Sequence, residues 1–141
     1  MFAKRIIGID YGRRRIGLAC SDPLRIIAQP LATVTLKSAA EAVRKVCAAL
    51  AGHEVELIVV GLPPALGKIK WGKMATEIRE FAAGLEKRGY KVVFEDEGFT
   101  SREAMDAMRL AGKSEKQMRG KTDAIAAQLI LQDYLDSHRN D

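Results

Sequence analysis

The sequence predicts an α/β domain on a mixed five-stranded sheet flanked by helices, and three observations predict it. Two β-branched apolar runs, residues 4–10 (KRIIGID) and 15–21 (RIGLACS), flank the tight turn Tyr11-Gly12-Arg13-Arg14 and read as an antiparallel hairpin. Residues 55–60 (VELIVV) are nearly all apolar, the pattern of a central strand covered on both faces. After the hairpin, strands alternate with stretches of helical periodicity, an order that calls for crossover connections and a sheet with parallel neighbours.

Each element follows from local chemistry. Asp22-Pro23 ends the hairpin, and residues 31–36 (LATVTL) suit a third strand. Ser38 followed by Glu41 has the form of a capping box. The helix it opens runs to about Ala51, with Ala39, Val43, Val46, Cys47 and Leu50 on one stripe and Gly52 as the stop. Gly61-Leu62-Pro63-Pro64 breaks the central strand, and a basic loop leads to a helix over roughly 73–88 that Gly89 closes. Residues 91–95 (KVVFE) form the fifth strand. Thr100 and Glu103 repeat the capping pattern for a helix reaching about Leu110, and a Lys/Arg-rich connector leads to a last helix over roughly 122–136. No repeat, low-complexity stretch or linker interrupts the chain, so residues 1–141 are expected to form one domain.

Composition narrows the function. Of 141 residues, 48% are hydrophobic and 29% charged, ordinary for a soluble globular protein. No apolar run approaches the roughly 18 residues of a membrane span. The opening MFAKRIIGIDYG places an aspartate inside its apolar run, unlike a secretory signal, so the expected location is cytoplasmic and no membrane partner is expected. Cys20 and Cys47 stand singly among apolar neighbours and read as buried, inert thiols. His53 and His138 lack the companions of a metal cluster or a catalytic triad. Whatever chemistry the chain performs falls to its carboxylates.

The formal charge is +5, and its distribution is more telling. Arg13, Arg14 and Arg15 form one cluster, Lys68, Lys70 and Lys73 a second, and Lys113, Lys116, Arg119 and Lys121 a third. All three read as turn or loop segments, where binding residues collect. Any one cluster could be solvated surface charge, but three together favour nucleic acid as the partner.

Three groups of acids stand out. Asp10 ends an apolar strand, where it either caps the turn or faces a cleft at the strand end. Glu95, Asp96 and Glu97 end the fifth strand, with Glu95 and Glu97 on one side and Asp96 on the other. Three adjacent acids repel unless cations compensate, though a solvated acidic turn would also explain them. Asp123 is aligned with Ala126, Ala127, Ile130, Leu131, Tyr134 and Leu135 on the buried stripe of the last helix, so it is aimed at the sheet. It could instead serve the helix dipole, although Thr122 can cap. Carboxylates are hard ligands suited to Mg²⁺ or Mn²⁺, and two such ions about 4 Å apart can drive phosphodiester hydrolysis. Three acids converging on one end of a sheet would suffice.

The segments IIGIDYGRRRIGLACSD, VELIVVGLP, EDEGFTS and DAIAAQLILQDYL, in that order, resemble the YqgF/RuvX family of pre-16S rRNA nucleases, also called Holliday junction resolvase-like proteins. The resemblance spans almost the whole chain. It implies a ribonuclease H-like fold with catalytic, metal-holding acids at Asp10, Glu97 (Asp96 adjacent) and Asp123. It implies trimming of the 5′ end of precursor 16S rRNA, with resolution of branched DNA as the alternative. A monomer or weak homodimer is expected. Arg13, Arg14, Arg15, Lys68, Lys70, Arg102 and Lys121 are the expected nucleic-acid contacts.

Two departures qualify the match. Gly98 stands where the family usually has an arginine, which would weaken phosphate binding or shift that task to Arg102. The family's Asn and Asp-Gly turn after Gly-Leu-Pro is replaced by Pro64-Ala65-Leu66-Gly67-Lys68. Trp71, between Lys70 and Lys73, could stack a base or simply pack. Gly98 also keeps open a non-catalytic RNA-binding assembly factor. An actin-like phosphotransferase shares the Asp-x-Gly hairpin but needs a second domain, for which the chain has no room.

Overall fold

The computed structural model describes residues 4–62, 69–96 and 115–138, of which 69–72 and 115–122 are described as backbone only. The described elements are β1 (Arg5–Asp10), β2 (Arg15–Ser21), β3 (Ala28–Thr35), a 3₁₀ turn (Ala39–Glu41), α1 (Ala42–Leu50), β4 (Val55–Leu62), α2 (Ile69–Lys87), β5 (Val92–Asp96) and α3 (Glu115–Ser137). The expected helix over 100–110 lies outside the described residues.

The five strands form one mixed sheet in the order β3-β2-β1-β4-β5. β1 and β2 are the expected antiparallel hairpin, with Asp10 opposite Gly17 and Gly8 opposite Ala19. β4 pairs in parallel with both β1 and β5, so β1, β4 and β5 end on the same edge of the sheet. The apolar run of β4 explains its place: Leu57, Ile58, Val59 and Val60 are all buried.

Strand alternation divides the core in two. Ile7, Ile9, Ile16, Leu18, Ile58 and Val60 face one way and pack with Val46 and Leu50 of α1 and Ile78, Phe81 and Leu85 of α2. Ile6, Ala19, Leu57 and Val59 face the other way, against Ala127, Ile130, Leu131 and Leu135 of α3. The stripe read from the last helix is thus its sheet-facing side. No helix among the described residues is long and apolar enough to cross a membrane.

Four expectations need correction. The Ser38–Glu41 box is only half built: Ser38 makes no side-chain capping bond, whereas Glu41 accepts from the Lys37 N–H and pairs with Lys45. A 3₁₀ turn therefore precedes α1. The connector before the last helix is itself helical from Glu115, because Lys, Gln, Met and Arg are good helix formers and Gly120 alone does not stop the run. Lys116, Arg119 and Lys121 accordingly stand on a helix, not a loop, and so do Lys70 and Lys73 of α2. The third strand begins earlier, at Ala28, and admits Pro30 because it is the edge strand. Cys20 and Cys47 are free but only partly buried, and burial raises both thiol pKa values.

Candidate active site

Asp10 is the last residue of β1, on the α3 side of the sheet by strand alternation from Ile6 and Gly8. Its cross-strand partner Gly17 lies on the same side. A Cβ placed on Gly17 would fall 1.8 Å from the backbone oxygen of Asp123, and one on Gly8 2.6 Å from Leu131 Cβ. The two glycines let the backbone of α3 lie directly on the hairpin. Asp10 and Asp123, encoded near opposite ends of the chain, are thereby brought to the same face and the same end of the sheet.

Asp123 is shielded, with its side chain 16% exposed. Burial raises its pKa, and the Arg15 guanidinium, whose Nε donates to Asp123 Oδ2 at 2.7 Å, opposes that shift. Arg15 opens β2 and lies two residues from Gly17 on the same face, so backbone packing fixes both members of the pair. A carboxylate has about four acceptor positions, and one guanidinium bond leaves Asp123 capacity for a further hard cation. The donor chemistry at this end of the sheet therefore fits a divalent oxygen-seeking ion.

The sheet continues this edge toward β5. Asp10 adjoins the Ile9–Val60 pair, and the next β4 residue, Gly61, pairs with Glu95. Glu95 lies on the α3 face with Val93, and its pKa is raised first by burial, with Asp133 and Asp96 adding to the shift and His138 opposing it. Asp96 alternates to the other face. Glu97 lies outside the described residues, as do Lys68 and Arg102. Lys70 and Lys121 stand in α2 and α3, with side chains outside the described set. Among the described residues, no group of three or more His, Cys, Asp or Glu could hold a metal ion.

The arginine cluster divides into three different environments. Arg13 is paired with Glu77 of α2, whose carboxylate accepts from its Nε at 2.9 Å. Arg15 is committed to Asp123. Arg14 is exposed, and among the described residues its guanidinium has no ion-pair partner. Sequence reasoning missed Glu77 and the Arg15–Asp123 pair; the periodicity of the last helix pointed Asp123 at the sheet, but nothing local named the arginine awaiting it. A cavity of about 670 Å³ lies elsewhere, bounded by Ile6, Leu57, Tyr134 and Leu135 near the start of β1, and Asp10, Glu95 and Asp123 do not line it.

Comparison with known proteins decides the relationship. The model of the RuvX family, described as Holliday junction resolvase, matches residues 4–137. The chain belongs to the RuvX family. A protein of Chlorobaculum tepidum named as a pre-16S rRNA nuclease is 42% identical over 139 residues, covering 96% of this chain and 95% of that one. One of Syntrophus aciditrophicus with the same name is 39% identical, covering 94% and 89%. Among solved structures, Thermus thermophilus RuvC in complex with a Holliday junction substrate superposes with a TM-score of 0.62 at 15% identity, covering 97% of this chain and 96% of that one. The fowlpox virus Holliday junction resolvase gives 0.57 at 15% identity, covering 95% and 99%. These likenesses establish the RuvC-like, ribonuclease H-like fold that the RuvX-family resemblance implied.

Proposed function

We propose that this RuvX-family nuclease hydrolyses phosphodiester bonds in precursor 16S rRNA, with Mg²⁺ or Mn²⁺ held by Asp10, Asp123 and Glu97. The observation that carries the reading is the approach of α3 to the hairpin at Gly17, which puts Asp123 and Asp10 on one face at the carboxyl ends of the strands. That is where open α/β sheets place their chemistry. The naming of relatives 36–42% identical as pre-16S rRNA nucleases supports the substrate.

A bound divalent ion supplies Lewis acidity toward phosphoryl oxygens and lowers the pKa of water. The residues of the chain do the rest. Asp10 and Asp123 provide carboxylate oxygens from two backbones locked together, so little reorganisation is needed. The exposed Arg14 beside the site offers a guanidinium to a phosphate of the strand. Lys68, Lys70, Arg102 and Lys121 extend the basic footprint in this reading. The chain acts in the cytoplasm as one domain over residues 1–141, as a monomer or weak homodimer.

Branched DNA is the second reading, favoured by the family's description as Holliday junction resolvase. A parallel cleavage assay on precursor 16S rRNA and a four-way DNA junction, with Mg²⁺ or Mn²⁺, separates them. Metal-dependent trimming of the RNA is expected, and Asp10→Asn, Glu97→Gln and Asp123→Asn should each abolish it while the protein stays folded. Undiminished turnover in the Asp10 and Asp123 variants would refute the assignment, and cutting of the junction alone would replace the substrate.

A further inference from the structure

We infer that Arg15 is the resident counterion of Asp123, a positioning residue that competes with a divalent cation for that carboxylate and so sets the metal affinity of the site. The inference rests on the proposed metal role of Asp123 and adds a regulator to it. Three observations carry it. The Nε–Oδ2 distance is 2.7 Å, a charge-assisted contact. Asp123 is shielded at 16% exposure, while Arg15 reaches it from the solvent side at 40%. Both backbones are fixed, since Arg15 stands two residues from Gly17, on which the Asp123 carbonyl rests, and pairs across β2 and β3 with Thr35.

The pair differs from an ordinary surface ion pair, which contributes little, because the Asp123 carboxylate is shielded from water. Here the carboxylate is desolvated wherever α3 packs, and a desolvated carboxylate requires a partner. Arg15 supplies one without a metal. A divalent ion arriving at Asp123 must displace or share with the guanidinium, so the arginine lowers affinity for the ion. Displacement would leave the Arg15 charge available to a substrate phosphate. Arg15 is thus distinguished from Arg14, which is exposed.

The test is Mn²⁺ binding to the full chain, read from the electron paramagnetic resonance signal of the free ion. Arg15→Gln and Arg15→Met, two neutral replacements in case one fails to fold, should tighten Mn²⁺ binding by roughly threefold to tenfold, the size expected for removing one nearby cation. Arg15→Lys should restore an affinity close to that of the parent. In an Asp123→Asn background, the Arg15 replacements should change Mn²⁺ binding by clearly less, because the competition for that carboxylate is gone and only through-space repulsion remains. A purely structural role for Arg15 predicts the opposite, a loosened site that binds more weakly. Unchanged or weaker binding in the folded neutral variants overturns the inference. If Asp123→Asn alone binds Mn²⁺ as the parent does, the metal reading itself fails, an outcome distinct from the first.

Discussion

The backbone oxygen of Asp123 occupies the space that a side chain at Gly17 would need. A Cβ there would sit 1.8 Å from that oxygen and 2.8 Å from the Ala124 nitrogen, and both obstacles are backbone. Gly17→Ala therefore has to move α3 away from the hairpin and carry Asp123 with it. Overpacking of this kind costs about 3 kcal/mol, and the displaced carboxylate should cost activity beyond that. Gly52→Ala is the control, since nothing lies within 4 Å of its added methyl. Urea midpoints and cleavage rates for the two variants check the expectation. A Gly17→Ala protein as stable and active as the Gly52→Ala protein would show that α3 does not rest on this strand.

Arg13 and Arg14 are adjacent and equally charged, yet they should contribute unequally to nucleic-acid binding. Glu77 already neutralises Arg13 through contacts at 2.9 Å, whereas Arg14 is exposed. Each phosphate neutralised by a protein cation adds about 0.7 to the slope of log affinity against log salt for a single strand. Arg14→Ala should lower the slope for a precursor rRNA fragment by about that amount, and Arg13→Ala by clearly less. Titrations at several KCl concentrations measure both. Equal losses would mean that Glu77 releases Arg13 when RNA binds.

Much of this arrangement is legible in the sequence. The hairpin, the doubly covered β4 and the sheet-facing stripe of α3 all follow from periodicity, which reports burial directly. Asp10 and Asp123 were visible as acids at positions where apolar residues are the rule. The partnerships were not. Arg15 stood in a run of three identical residues, and only tertiary packing gives each a separate partner. Two glutamines of α3 make the same point. Gln132 accepts from the Ala28 N–H, and Gln128 donates to the Ala28 carbonyl, so the helix completes hydrogen bonds of a strand a hundred residues earlier. A glutamine on a helix surface looks alike whether it meets water or a strand edge. Pro30 and the register shift between Leu18 and Ala19 also follow from β3 lying at the edge, a place the local sequence does not state.

Six acids of the fold divide by the direction of their pKa shifts, and this gives stability a maximum in mildly acid solution. Burial is the leading cause that raises Asp123, Glu95 and Asp133 above their ordinary values of 3.8, 4.5 and 3.8. These groups bind protons more readily folded than unfolded, so stability increases as pH falls from neutral through their raised pKa values. Asp22, Glu41 and Glu56 shift down: Asp22 chiefly through the Ile27 N–H, Glu41 through the Lys37 N–H and Glu56 through Arg25. Their contribution is present above the ordinary carboxylate range and is lost as pH falls through their lowered values. The two sets titrate in different windows. The urea midpoint should therefore climb as pH falls from neutral toward the ordinary carboxylate range and fall again as pH drops below that range. Asp123→Asn removes one raised acid and should flatten the climb while leaving the acid-side fall in place. A midpoint that drops steadily from neutral pH downward would mean that burial of these carboxylates does not govern their protonation.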